Sequence, residues 1–510
     1  MESRTSKSLK NARIALVFYF FNLLLQFFSR KIFLDYLGAE VLGLNSTAQN
    51  LLGFLNLAEL GVDVAVSYML YKPVLNKNVQ IINDIVTVQG WLYRKVAYVV
   101  MGTATVLMLF FPWIFAKIEI PLWYAYGTFI AFLISSLLGY FINYRQIVLT
   151  TDQKQYKVTT VIQSVKIIKV ILQISAISLF RNGYLWWLVL EVIMTFVTSI
   201  VLNYTIKKEY PWLDTKLANG KRLKDTYPEI VVKTKQIFFH RVANFVLTQT
   251  SPLVIYAYAS LSLVAVYGNY MLIVTGITML VAALLNSITA GVGNLVAEGS
   301  KNQIKKVFWE LTSFRVWLAA IICYVFYRSG HSFITLWVGK EYLLPDSVFY
   351  ILIAITYITL TRTNDAFILA YGIFQDIWAP VIEAILNLGG AIILGYFWGL
   401  PGILTGVLLS LILVVVCWKS YFLYTYGFKE KIWEYVQKQG KYIVMIVVSV
   451  LLHEFILSSV MVDNNAESFF SWGIYVVGLM ISFALIISIV FYLGDNSIKC
   501  FFQRLIKIIR

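Results

Sequence analysis

The chain has 510 residues, 59% of them hydrophobic and only 13% charged, with a mean hydropathy of +0.75. A water-soluble globular domain needs far more surface charge, so that class is excluded. Three cysteines (Cys323, Cys417, Cys500) and three histidines (His240, His331, His453) show no CxxC or Cys/His spacing, which argues against a metal or disulfide framework. The net charge of +16 would suit a nucleic-acid partner, but its distribution along the chain argues against one.

The N-terminal tail places Arg4, Lys7, Lys10 and Arg13 before an apolar run beginning at Ile14. That run continues past Phe28 with no small-residue cleavage pattern, so it predicts a first spanning helix rather than a signal peptide. Taking about 20 apolar residues per crossing predicts about fourteen helices. They fall at roughly 14–36, 41–70, 85–116, 121–143, 158–180, 184–205, 232–258, 263–295, 307–327, 346–370, 378–397, 402–425, 442–461 and 469–493. The linkers between them alternate in charge. Most of the 42 Lys/Arg lie in the tails and in every second linker, whereas the opposite linkers hold only Lys117, Arg181, Arg328 and Lys340. This is the positive-inside pattern, and it places both termini in the cytoplasm of a multi-pass inner-membrane protein.

The charges inside the helices carry the functional argument. A charged side chain near the bilayer centre costs about 2.5–3.5 kcal/mol even on insertion scales, so it must face protein or a watery cavity. In chain order these are Arg30 and Lys31; Glu59 and Asp63, spaced i and i+4; Arg94; Lys166 and Lys169, on one face with Gln163 and Gln173; and Glu191. The helix at 232–258 bears one wet stripe, Lys233, Gln236, His240, Asn244, Thr248 and Ser251, with Arg241 beside it. Beyond it come Arg315, Arg362 with Asp365 one turn away, Glu383 and the His453-Glu454 pair. Arg30, Lys31, Arg94, Lys166, Lys169, His240, Arg241 and Arg315 are the candidate cargo-binding cations. Each also has a structural reading: snorkelling for Arg94, pairing with Asp35 for Arg30, an interhelical hydrogen-bond seam for the stripe. Glu59 and Asp63 are candidates for H⁺ or Na⁺ coupling, and the competing reading is that they neutralise bases on neighbouring helices.

The expected organisation is an all-α integral membrane protein. An N-terminal lobe of six helices (1–205) precedes a basic cytoplasmic linker (206–231), a second six-helix lobe (232–426), and a further helix pair with a basic tail (427–510). Six being even, the two lobes share an orientation, which suggests parallel pseudo-symmetric repeats around a central cationic cavity. Glycines and prolines such as Gly53, Gly61, Pro380, Gly389 and Gly390 mark places for bends or close helix contacts. No GxSxG or Walker-type phosphate loop occurs, and no cofactor is implied. The drive would therefore come from an ion gradient, the membrane potential or the cargo gradient.

The stretch FFSRKIFLDYLGAEVLGLNSTAQNLLGFLNLAELGVDVAVSYMLYKPV, from Phe27 to Val74, resembles the opening of bacterial polysaccharide (Wzx-type) flippases. These belong to the multidrug/oligosaccharidyl-lipid/polysaccharide exporter superfamily. The segments Tyr144 to Lys157, Val264 to Ile273 and Ile288 to Gly299 are similar to that family too, in family order, so the resemblance covers roughly the first 300 residues; the remainder matches only in helix pattern. It implies a fourteen-helix, two-lobed fold working by alternating access. The implied cargo is a polyprenyl-diphosphate-linked oligosaccharide carried to the outer leaflet, with polysaccharide polymerase machinery as a further partner. A diphosphate suits Arg and Lys. One departure is the run Gln249-Thr250-Ser251-Pro252, where family members often carry an acidic residue; it puts a cation-coupling role for that helix in doubt. The rival readings are a drug or cation-coupled exporter of the same superfamily and a membrane-embedded glycan polymerase or ligase. The first would want acidic cavity residues, and the second a long external loop that this chain lacks.

Overall fold

A computed structural model describes residues 4–59, 61–373, 376, 378–460 and 468–509. Among these the chain is helical with no strands, and ten helices are long and apolar enough to cross a membrane. The predicted crossings map onto them with two kinds of difference. Helix α1 (Arg4–Leu55) joins the first to the opening half of the second, bent at Gly38, whose φ of 81° only glycine adopts without strain, and the rest of 41–70 is broken off by a turn at 56–61. Likewise the helical run Trp378–Phe428 absorbs 378–397 and 402–425. The crossings expected at 232–258 and 346–370 are also interrupted, at Thr250 and at Thr361–Arg362.

Two compact units result, Met1–Ala265 and Val266–Arg510. In the first, α1 is followed by a 3₁₀ turn (Asn56–Glu59), α2 (Val62–Leu75), α3 (Val79–Leu109), α4 (Trp123–Phe141), α5 (Gln155–Leu179), α6 (Gly183–Glu209), α7 (Glu229–Gln249) and α8 (Ser251–Tyr258). In lipid there is little hydrophobic gain between helices, so close packing and polar contacts hold them together. Helix α5 lies between α1 and α6, where Tyr184 stacks on Tyr124 (ring centroids 4.4 Å apart) and on Trp187 (5.7 Å). The Tyr184 hydroxyl also donates to Asn45 Oδ1 at 3.0 Å. Gly43 touches the backbone of Leu261 so closely that a Cβ would lie 1.8 Å from its carbonyl oxygen. Helices α7 and α8, expected to open the second lobe, pack on α2 and α1 and so fall in the first unit.

The second unit holds the body of α9 (Leu261–Glu298), then α10 (Lys301–Trp337), α11 (Asp346–Leu360), α12 (Thr363–Tyr371), α13 (Trp378–Ser410), α14 (Trp433–Val460), α15 (Phe469–Gly494) and α16 (Asn496–Ile509). Its core runs through Phe308, Phe367, Tyr424, Phe428, Tyr442, Phe483 and Phe491. The last helix pair is therefore part of this core, packed directly on α10 rather than appended to it. Glu310, 2% exposed, is held there by Arg504 at 3.1 Å. The 378–428 hairpin closes at Gly390 and Gly406, where a Cβ on Gly406 would lie 2.3 Å from the backbone of Gly390.

Candidate functional site

Each unit contains a helix interruption, and charged side chains gather at both. In the first, the chain leaves α1 through the 3₁₀ turn and re-enters helix after Gly61, whose φ is 98°. A Cβ there would come within 3.0 Å of the Thr234 carbonyl oxygen, so only glycine suits both the turn and the contact. The break turns Glu59 and Asp63 into a cavity of about 640 Å³ that Gln89, Tyr93, Tyr140 and Gln146 also line. Asn56, one turn before Glu59, is held by hydrogen bonds from Ser136 (3.0 Å) and Tyr140 (2.8 Å). Among the described residues no Lys, Arg or His lines this cavity and neither carboxylate forms an ion pair, while Glu59 is in hydrogen-bond contact with Tyr140. The Oε1 atoms of Gln89 and Gln146 are buried without a hydrogen-bond partner among the described residues.

The cations expected at a cargo site stand elsewhere. Arg30 donates to the Ala265 carbonyl at 2.9 Å. Lys31 pairs with Asp35 at 3.3 Å on an exposed face, so of the two residues Lys31 takes the carboxylate considered for Arg30. Arg94 is exposed on α3. Lys169 is closed off by Glu191 at 2.7 Å, and Gln173 donates to the other oxygen of that carboxylate at 2.9 Å. Lys166, one turn away, is half-buried within electrostatic reach of the same Glu191 but makes no hydrogen bond or ion pair among the described residues. The side chains of His240 and Arg241, with most of the polar stripe on α7, lie outside the described residues.

In the second unit the helix stops at Leu360 and restarts at Thr363. Arg315 on α10 donates to the freed Arg362 carbonyl at 3.1 Å. Arg362 reaches Asp365 at 2.8 Å, as its spacing suggested, and Lys419 reaches the other oxygen of the same carboxylate at 2.9 Å. Glu383, 2% exposed, lies within electrostatic reach of Arg362 and Lys419. Three cations thus share two carboxylates around an open turn of backbone. Sequence reasoning overlooked Lys419, although it is a cation inside an apolar run like Arg30. It also overlooked Gln89, a lone amide in an apolar helix that is 1% exposed.

At the helix ends the charges are spent on fastening. Lys154, just before α5, is paired with Asp152 (2.7 Å) and Glu209 (2.5 Å). Burial lowers its pKa, but the two carboxylates outweigh this and hold it above the ordinary lysine value. Glu430 is held below the usual carboxylate range, chiefly by its hydrogen bond from Lys305 at 2.6 Å.

No protein-family model matches the sequence, and no curated relative matches it. Solved structures do. A lipid II flippase, MurJ, in an inward closed conformation, superposes with a TM-score of 0.65 at 14% identity, over 93% of this chain and 98% of the other. The chain has the fold of a membrane transporter. The inward-facing structure of a multidrug resistance MATE family transporter of the MOP superfamily gives 0.57 at 14% identity, over 79% of this chain and 96% of that one. At such identities the likeness establishes architecture alone.

Proposed function

We propose that this protein is a flippase. It carries polyprenyl-diphosphate-linked oligosaccharide units from the cytoplasmic to the outer leaflet of a bacterial cytoplasmic membrane, by alternating access, for polysaccharide assembly. The observation that carries this reading is the cluster at the second helix interruption. Arg315, Arg362 and Lys419 outnumber Asp365 and Glu383 by one charge, and Arg315 gives its hydrogen bond to a backbone carbonyl while reaching Asp365 only electrostatically among the described residues. Interrupted spanning helices are where transporters place ligand sites, because the freed backbone groups are tolerated only beside protein or a cavity. An incoming diphosphate offers Arg315 a bidentate partner stronger than a carbonyl. Lys166, half-buried beside the closed Lys169–Glu191 pair, is a further cation for an anionic cargo. That one structural neighbour is a lipid II flippase supports a lipid-linked cargo for this chain.

The acidic cavity of the first unit favours a second reading, export of organic cations, since carboxylates and tyrosines suit a positive ligand. One experiment separates them: follow lipid-linked glycan by leaflet in cells lacking the protein, complemented with wild type or with Arg315→Ala. Complete units should accumulate on the cytoplasmic leaflet without the protein, be cleared by wild type and persist with Arg315→Ala. Units reaching the outer leaflet in the null strain would reject the flippase reading, and a null strain newly sensitive to cationic drugs would favour export.

A further inference from the structure

The last helix is not built as a crossing. Helix α16 has 14 residues, too few to span a bilayer. Apolar residues recur along one side of it, at Ile498, Phe501, Phe502, Leu505 and Ile509 in the sequence, with Lys499, Arg504 and Lys507 off that side. Helices sorted in this way lie in the membrane interface, with their cations among the lipid headgroups. The corner that leads into α16 is fixed. Asp495, buried at the end of α15, accepts hydrogen bonds from Ser313 Oγ (2.6 Å), the Tyr442 hydroxyl (3.2 Å) and the Ser497 N–H (3.2 Å). Beyond it Phe501 stacks on Phe314, ring centroids 4.3 Å apart, and Phe502 meets Trp317 edge-on. The helix is therefore held against α10 at a set place.

A cavity of about 380 Å³ opens between α10, α14 and α16, and Lys305, Lys306 and Lys438 line it with Glu310 and Glu434. Lys305 is spent on Glu430 and Glu434. Arg504 reaches Glu310 at 3.1 Å from the side of α16. Lys438 lies 3.7 Å from Glu434 and over the Trp309 ring at 4.3 Å. Lys306 is exposed and feels Glu310 electrostatically, but makes no hydrogen bond or ion pair among the described residues. Lys499 lies over the Tyr492 ring at 4.7 Å and likewise has no ion pair among them. Five cations thus meet three carboxylates, of which Glu430 is shared with Lys301 as well.

The flanking surface selects the kind of anion. Tyr492, under Lys499, is 58% exposed, and Leu493 beside it is 77% exposed. A soluble phosphate would answer the surplus charge and gain nothing from this apolar surface. An amphiphile with an anionic head and a hydrocarbon body answers both. Basic pockets between membrane helices take acidic lipid headgroups for this reason.

We propose that α16 and the cavity beside it bind the headgroup of an acidic membrane phospholipid. Lys306 and Lys438 meet its phosphate in the cavity, and Lys499 draws it in from the rim. The site shares no residue with the cluster at Thr361–Arg362 and stands independently of the flippase reading.

The test uses a thiol of the cavity wall, Cys500. Full-length protein carrying Cys417→Ser, purified in uncharged detergent, leaves Cys500 open to a neutral maleimide, since Cys323 is buried. Phosphatidylglycerol in mixed micelles should slow alkylation of Cys500, whereas phosphatidylcholine, or inorganic phosphate at the same concentration, should not. A Lys306→Gln/Lys499→Gln variant should need about 25-fold more phosphatidylglycerol for the same protection, about 5-fold for each lost cation. Lys221→Gln/Arg222→Gln, exposed in the first unit, should need no more than wild type. An unchanged gel-filtration profile and an unreactive Cys323 show that each variant is folded. Equal protection by phosphatidylcholine would overturn the proposal in favour of apolar contact alone, and equal protection by inorganic phosphate in favour of a soluble anion. Undiminished protection in the Lys306/Lys499 variant would remove these cations from it. The same loss in the Lys221/Arg222 variant would replace the site with diffuse surface charge.

Discussion

The two helix interruptions solve the same physical problem in opposite ways. At Gly61 the chain brings two carboxylates into a cavity that no base lines among the described residues, with Glu59 in hydrogen-bond contact with Tyr140. At Thr361–Arg362 it brings three cations together and ties two of them to one carboxylate, Asp365. Both breaks expose charge within the spanning region, so the break itself does not tell what a site is for. What differs is whether the partners come from this chain or must come from outside. An unpaired set marks a place for a ligand, while a paired set with one surplus charge can exchange its weakest internal partner for one.

This comparison can be sharpened by removing one charge at a time and measuring thermal unfolding in detergent. Glu191→Ala should have the largest effect, about 3–5 kcal/mol, because it leaves Lys169 in the membrane without its carboxylate. A Lys169→Leu/Glu191→Leu double variant should recover most of that loss; no recovery would mean that the pair is not what holds α5 to α6. Asp365→Asn should come next, at about 1–3 kcal/mol, since Arg362 and Lys419 lose their shared acceptor but remain partly exposed. Lys31→Ala should cost no more than about 0.5 kcal/mol, as expected of an exposed i,i+4 pair. Glu59→Gln should be close to neutral, since no base among the described residues is orphaned and the glutamine can still accept from Tyr140. A marked destabilisation there would show a positive internal partner for Glu59 and erase the contrast between the two breaks.

Acid should act on the paired charges too. The pKa of Glu430 is depressed in the folded protein, so its contribution is complete above the ordinary carboxylate value of about 4.3 and lost as pH falls through the lower folded value. A Glu430→Gln variant should therefore show a shallower loss of stability below that pH than wild type does, and an unchanged acid profile would remove Lys305–Glu430 from the contacts that matter.

Much of the fold was legible because it depends on local chemistry. Apolar run length placed the crossings, and the glycines at 61 and 390 marked a real bend and a real close contact. The sequence also showed that Lys166, Lys169, Glu59 and Arg315 lie inside spans. It did not show that Gln89 would be left without a partner, because a lone amide in an apolar helix reads as an ordinary hydrogen-bonded residue until its neighbours are known. The two interrupted crossings looked continuous for a related reason. The polar residues at Thr250 and Thr361 do not break periodicity, and the break depends on what the freed carbonyls can find, such as Arg315 on another helix.

The amino-acid order by itself determined that this is a multi-pass helical membrane protein, where most of its helices run, and which charges they carry through the apolar region. Only the tertiary structure decided which of those charges are spent. Lys169 meets Glu191 from the next helix, and Lys419 meets an Asp365 that lies 54 residues away. A helix fixes which residues share its faces, but its rotation about its own axis is set by the neighbours it packs against. That rotation puts one intramembrane lysine, Lys169, in contact with a carboxylate and holds its neighbour Lys166 only within electrostatic reach of it.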